Sequence, residues 1–375
     1  MKNIDQQAIE NIAVGATLLG TGGGGDPYIG KLMALQAIDK YGPVPLVAPE
    51  ELSPDDLVVP ISMIGAPTVL LEKIPSGREM VKILEMMETY TGKRAAAVMP
   101  IEIGGVNSLI PFAVAAEKGL PVVDADAMGR AFPEAQMVTF YLDGLAPEPV
   151  TMADEKGNTV LFNPVDAVWS ERLARSLTIQ MGASAAMSDY ALTAEQVKRS
   201  AIPYTLSLAE DVGRTILAAQ SESRSPVPAL LKKLNGHLLF SGKIVDVTRK
   251  LDGGFTKGEA RFAALAPGEA KDVRLYFQNE YLLVQDGSHV LASTPDLIVV
   301  LDNDTGTPMT SDRLKYGMRV DILAFPAHPK WRTAKGIEVA GPKYFGYDID
   351  YRPVEERMAE YKTMHHDKQG DGNIG

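Results

Sequence analysis

Apolar residues recur along this chain with two different periods, and the balance between them shifts in its second half. Ile9, Ile12, Ala16 and Leu19 follow helical spacing behind Asp5, a residue suited to an N-cap, so a helix is predicted that ends in Gly20-Thr21-Gly22-Gly23-Gly24-Gly25-Asp26-Pro27. A second helix is predicted over 28–40. Strands at 44–48, 57–63, 94–101 and 120–123 then alternate with helices at 77–90 and 109–118. Strands alternating with helices make a parallel α/β sheet with right-handed crossovers the economical architecture.

From 138 to 162 the pattern turns to short strands, with Asp154-Glu155-Lys156-Gly157-Asn158 as a hairpin tip. Residues 169–220 read as helical, in pieces at 184–192, 194–199 and 206–219. The last of these places Leu208, Val212, Ile216 and Ala219 on one face, and Pro203 divides it from its neighbour. From Gly236 onward short apolar runs at 244–247, 261–265, 273–277, 281–285, 297–301 and 320–324 suggest a barrel or sandwich. Residues 365–375 are polar and are expected to fray. The expected organisation is an α/β domain over 1–168, then a helical connector and a largely β domain over 169–375.

The strand at 120–123 empties into Asp124, Asp126, Arg130 and Glu134. In open parallel sheets ligands gather beyond the carboxyl ends of the strands. Three such ends carry Gly65-Ala66-Pro67, Glu102 to Ser108, and Asp124-Ala125-Asp126, so all three loops are expected at one crevice. If strand geometry persists, Asp124 and Asp126 point to one face, with Glu102 as a third carboxylate. Their repulsion would be relieved by a shared cation, by Arg130, or by a proton held at raised pKa. The plainer account has one aspartate capping a turn and the other pairing with Arg130 at the surface.

The net charge of −11 argues against a nucleic-acid or anionic-membrane surface, since either would need a basic patch, and fits a protein that handles small molecules. No run approaches a membrane span and the first residues lack a signal-length apolar stretch, which gives a cytoplasmic expectation. Absence of cysteine excludes disulfides, thiolate zinc sites and a cysteine nucleophile. The five histidines show no zinc spacing. A divalent metal is therefore expected mainly on Asp124, Asp126 and Glu102, with His237 and His289 as further candidate ligands. Ser62, Ser108 and Ser184 lack a nucleophile-elbow context.

Gly20, Gly22 and Gly25 formally satisfy G-x-G-x-x-G, with Glu50 and Glu51 near the place of a ribose-binding acid. The fingerprint needs a preceding strand, whereas this segment has helical spacing, and no Lys-Ser/Thr pair follows for a P-loop. No nicotinamide or flavin is expected. Gly22, Gly23, Gly24 and Gly25, with Asp26, are instead expected to bring backbone N–H groups to a substrate anion or oxyanion, or else to allow close helix packing.

The glycine loop, Asp124-Ala125-Asp126-Ala127-Met128-Gly129-Arg130-Ala131-Phe132-Pro133-Glu134, Pro100-Ile101-Glu102-Ile103-Gly104-Gly105, Gly253-Gly254-Phe255-Thr256-Lys257-Gly258 and Gly341-Pro342-Lys343-Tyr344-Phe345-Gly346-Tyr347-Asp348 together resemble the S-methyl thiohydantoin desulfurase domain family. That resemblance spans nearly the whole chain. It implies an N-terminal α/β domain joined to a largely β domain, chemistry on hydantoin-like or thiohydantoin-like rings, and the company of hydantoinase and oxoprolinase systems. The expected activity is hydrolytic attack of water on a ring carbon. Asp124, Asp126 or Glu102 would serve as base or metal ligand, and Arg130 and Glu134 would hold substrate. The alternatives are a non-catalytic partner or binding subunit of a hydantoinase-like system, or a dinucleotide-dependent oxidoreductase. The expected partners are a small-molecule ring substrate and either a second copy of the chain, as a homo-oligomer, or a hydantoinase-like protein.

Overall fold

The fold is taken from a computed structural model that describes residues 2–65, 69, 73, 75–265 and 272–370, with side chains through 363. Asp5 caps the first helix, Gln6–Leu19, by accepting the Ala8 N–H at 2.9 Å. Helix Tyr28–Tyr41 starts beyond the glycine loop, with the Tyr28 N–H donated to Asp26 Oδ1 at 3.0 Å. The segment before the glycines is thus a helix, and the dinucleotide fingerprint lacks its strand.

Four parallel strands form the centre of the first sheet, in the order Val44–Val47, Val122–Val123, Ala95–Pro100 and Leu57–Gly65. Helix Ile110–Lys118 connects the second and third of these along the chain, and Arg78–Thr91 packs below. Beyond Leu57–Gly65 the sheet continues antiparallel through Ser184–Ser188, Val150–Ala153 and Thr159–Phe162. The helical piece expected at 184–192 is therefore a strand. All five residues of Ser184–Ser188 are buried, since both faces of this central strand are covered and no polar alternation marks it.

Helix Thr205–Ser221 lies against Gln6–Leu19. Their backbones touch at two glycines: a Cβ on Gly15 would come within 1.8 Å of the Ala209 carbonyl oxygen, and one on Gly213 within 1.8 Å of that of Asn11. The expected strand at 120–123 narrows to Val122–Val123. Ala125–Asp126 leaves the main sheet to pair with Ile202–Pro203, so Asp124 and Asp126 do not share one pleat.

Among the described residues, an eight-stranded antiparallel sheet forms most of the second half, built on the sixteen-residue strand His237–Asp252. Strands His289–Ser293 and Pro308–Met309 complete it beyond the strands read from sequence. The last helix, Val354–Gly370, runs well into the stretch expected to fray. The side chains of His365 and His366, and residues Ala66 and Pro67 of the expected crevice loop, lie outside the described residues. Among the described residues, no helix is long and apolar enough to cross a membrane.

Candidate active site

A cavity of about 110 Å³ opens where the carboxyl ends of Leu57–Gly65 and Ala95–Pro100 meet the Gln278-Asn279-Glu280 turn of the second sheet. Gly24, Gly25, Glu102 and Glu134 line it, joined by Asn107, Glu171, Arg175, Asp189 and Glu280. Glu102 follows its strand and is 5% exposed. Asn107 is fastened to Met63 by two backbone contacts, at 2.7 and 3.2 Å, and donates its amide to Glu102 Oε1 at 2.8 Å. Burial lifts the Glu102 carboxyl to about 7 against the opposing hydrogen bonds of Asn107 and the Phe132 N–H, and the nearby Asp126 adds to the rise.

Glu280 enters from the other domain. It is 3% exposed, its Oε2 is unpartnered, and burial reinforced by Glu102 lifts its carboxyl to about 8. The Gly24 N–H and the Arg130 charge work against that rise. The glycine loop makes this insertion possible: a Cβ on Gly23 would sit 1.8 Å from Glu280 Oε1, and one on Gly22 2.5 Å from the Tyr281 ring. Gly24 and Gly25 also meet Gly104 and Gly105 backbone to backbone, with the Val106 N–H donated to Gly24 O at 2.9 Å. The loop thus presents its N–H to a protein carboxyl, and its glycines serve close packing.

Other expected site residues stand outside the cavity lining. Asp124 accepts the Leu206 and Ser207 N–H groups, both at 3.0 Å, and the Ser207 hydroxyl at 2.5 Å, so it caps helix Thr205–Ser221 from a distant part of the chain. Asp126 is fully buried, and its Oδ2 accepts the N–H groups of Ile103, Met128 and Gly129 at 2.8 to 2.9 Å. Burial nonetheless raises it to about 7. Asp26 pairs with Arg313 on another face.

Arg130 is fully buried and donates to the carbonyls of Ala131, Tyr281, Pro295 and Asp296, while its guanidinium lies 4.6 Å from the Phe132 ring centroid. It clasps the two domains with four of its five N–H groups and is not part of the cavity lining. Burial lowers it to about 10, with Glu280 and Asp296 opposing. His237 and His289 lie on strands of the second sheet, away from the cavity lining. Among the described residues, no three Asp, Glu or His side chains gather as ligands for one ion. With Asp124 and Asp126 spent on separate backbone donors, the expected shared-cation site is not assembled.

Asp189 and Glu280 went unread in the sequence. Asp189 follows the strand taken for a helix. Glu280 belongs to a tight turn with Asn279 in the left-handed region at φ 57°, a pattern that from sequence alone looks solvent-facing.

The S-Me-THD-like N-terminal domain matches residues 7–164, and the S-Me-THD-like C-terminal domain matches residues 165–354. The chain belongs to the S-Me-THD-like family. A crystal structure of a protein from Chromobacterium violaceum shares the fold, with a TM-score of 0.78 and 23% identity over 94% of this chain and 100% of that one. No curated protein matches the chain. Membership gives a two-domain architecture and a family named for a thiohydantoin.

Proposed function

We propose that this chain hydrolyses the carbon–sulfur bond of S-methylated thiohydantoin-type rings, with Glu102 and Glu280 as its acid and base. The observation that carries the reading is that these two buried carboxyls, contributed by different domains, border one cavity in unlike settings. Glu102 is steadied in its charged form by Asn107, which suits it to act as base, whereas Glu280 keeps an unpartnered oxygen and burial beside Glu102 favours its protonated form, which suits it to act as acid.

In the forward step Glu102 takes a proton from water as its oxygen bonds to the ring carbon bearing the S-methyl group. The C=N electron pair moves to the ring nitrogen, which takes the proton of Glu280. In the collapse the C–S bond breaks, sulfur receives the proton held by Glu102, and Glu280 takes the hydroxyl proton as C=O forms. The products are a hydantoin and methanethiol, and both carboxyls return to their starting states.

The test is thiol release from an S-methyl thiohydantoin, with oxygen-18 water labelling the new ring carbonyl. Glu102→Gln and Glu280→Gln are each expected to lower kcat/KM by about 100-fold or more with the circular dichroism unchanged. The wild-type profile should rise toward pH 7, as Glu102 ionises, and fall past pH 8, as Glu280 loses its proton. Full turnover in either variant would sink the assignment, and ring binding without turnover would leave a binding subunit.

A further inference from the structure

Six ionisable side chains border the cavity among the described residues: Glu102, Glu134, Glu171, Arg175, Asp189 and Glu280. Most have partners within the protein. Glu134 accepts from the Tyr344 hydroxyl at 2.6 Å and the Gln136 amide at 2.5 Å. Glu171 accepts from Arg175 Nε at 2.6 Å and from the Ala135 N–H at 2.9 Å, and the Arg175 guanidinium stacks 4.5 Å from the Phe255 ring centroid. Glu102 has Asn107, and Glu280 has the Gly24 N–H.

Asp189 differs from all of them. It is 3% exposed, its charged form is favoured only by its own backbone N–H, and Glu171 repels it. The chain around it is fixed, because Ser188 pairs with Thr151 in the sheet and the Tyr190 N–H is donated to the Pro147 carbonyl at 3.0 Å. A buried carboxylate whose one donor is its own backbone N–H keeps acceptor capacity that a donor entering the cavity from outside the chain can fill. The five acids around this cavity outweigh its single guanidinium, which Glu171 already occupies.

We infer that Asp189 sets the specificity of this cavity by receiving a cationic N–H group of the ligand, amidinium or ammonium in class, and by turning carboxylates away. The inference rests on the reading of the cavity as a substrate site. A ring with nitrogen on both sides of a thioether carbon is of amidinium type once protonated, and a basic side chain on the ring offers the same chemistry.

Isothermal titration at pH 8 separates these sources and tests the inference. One probe set is a hydantoin carrying a 3-aminopropyl, propyl or 2-carboxyethyl group, and the other is acetamidinium beside neutral acetamide. Wild-type protein should bind the cationic member of at least one set about tenfold or more tighter than the neutral one, and the carboxylate most weakly. In Asp189→Asn the preference should shrink below about threefold while neutral probes bind as before. The wild-type preference should also grow between pH 6 and pH 8 as Asp189 ionises, a readout that needs no variant. Aminopropyl preference alone points to a basic side chain, and acetamidinium preference alone to the ring amidine.

If no ring binds but acetamidinium does so through Asp189, the proposed function falls and the subsite stands. A preference that is absent, insensitive to pH or intact in Asp189→Asn overturns the inference, as does failure of every cationic probe to bind.

Discussion

Asp124 and Asp126 sit two positions apart and do different work, because the chain leaves the main sheet between them. Asp124 satisfies N–H groups that helix Thr205–Ser221 cannot satisfy internally, whereas Asp126 gathers three N–H groups of the loops beside Glu102. The plainer sequence account holds only in making Asp124 a cap, and for a helix some eighty residues later rather than a following turn. Asp126 and Arg130 do not pair at the surface, since both are fully buried and bonded to backbone groups. Asp124→Ala is expected to lower stability by about 1 to 2 kcal/mol, read by urea denaturation. It should leave the kcat/KM of any thiol release within about threefold of wild type, because the side chain is outside the cavity lining. A loss of turnover as deep as that of Glu102→Gln, without loss of stability, would return Asp124 to the catalytic set.

Among elements, the helices with clear 3.6-residue periods and flanking caps were legible, and so were most strands of the second sheet with their Gly, Asp and Pro boundaries. Ser184–Ser188 was not, because Ala and Met suit helices and a strand buried on both faces shows no alternation. Glu102 was legible as a strand-end acid. Its partner Glu280 was not, since a charged residue in a tight turn signals solvent until another domain covers it. The covering element is the glycine loop, whose four glycines were conspicuous in sequence while their purpose was not. Gly23→Ala tests that purpose. Its new methyl group would collide with Glu280 Oε1, so kcat/KM is expected to fall about tenfold or more while the secondary structure persists. Unaltered activity would show that Glu280 need not stand where the loop holds it.

Over the whole molecule, the two domains close on carboxyls that water would otherwise ionise. Glu102, Asp126 and Asp189 are lifted to about 7 and Glu280 to about 8, each chiefly by burial. In the unfolded chain such groups lose their protons near pH 4. Between those limits the folded protein holds protons that the unfolded chain has released, so the stability these groups contribute is complete below about pH 4 and is lost as pH rises through 7 to 8. The melting temperature is therefore expected to fall between pH 6 and pH 8.5, and the fall should be shallower in an Asp189→Asn, Glu280→Gln double variant, whose amides do not titrate. Charge on Arg130 offsets part of the Glu280 cost and lies outside this comparison, since it stays protonated throughout the range. A cationic ligand seated against Asp189 should raise the melting temperature more at pH 8 than at pH 6, because only the ionised carboxyl repays it. A wild-type melting temperature that is flat or rising from pH 6 to pH 8.5 would mean that water reaches these carboxyls in the folded state, and the case for Glu280 as a proton donor at neutral pH would go with it.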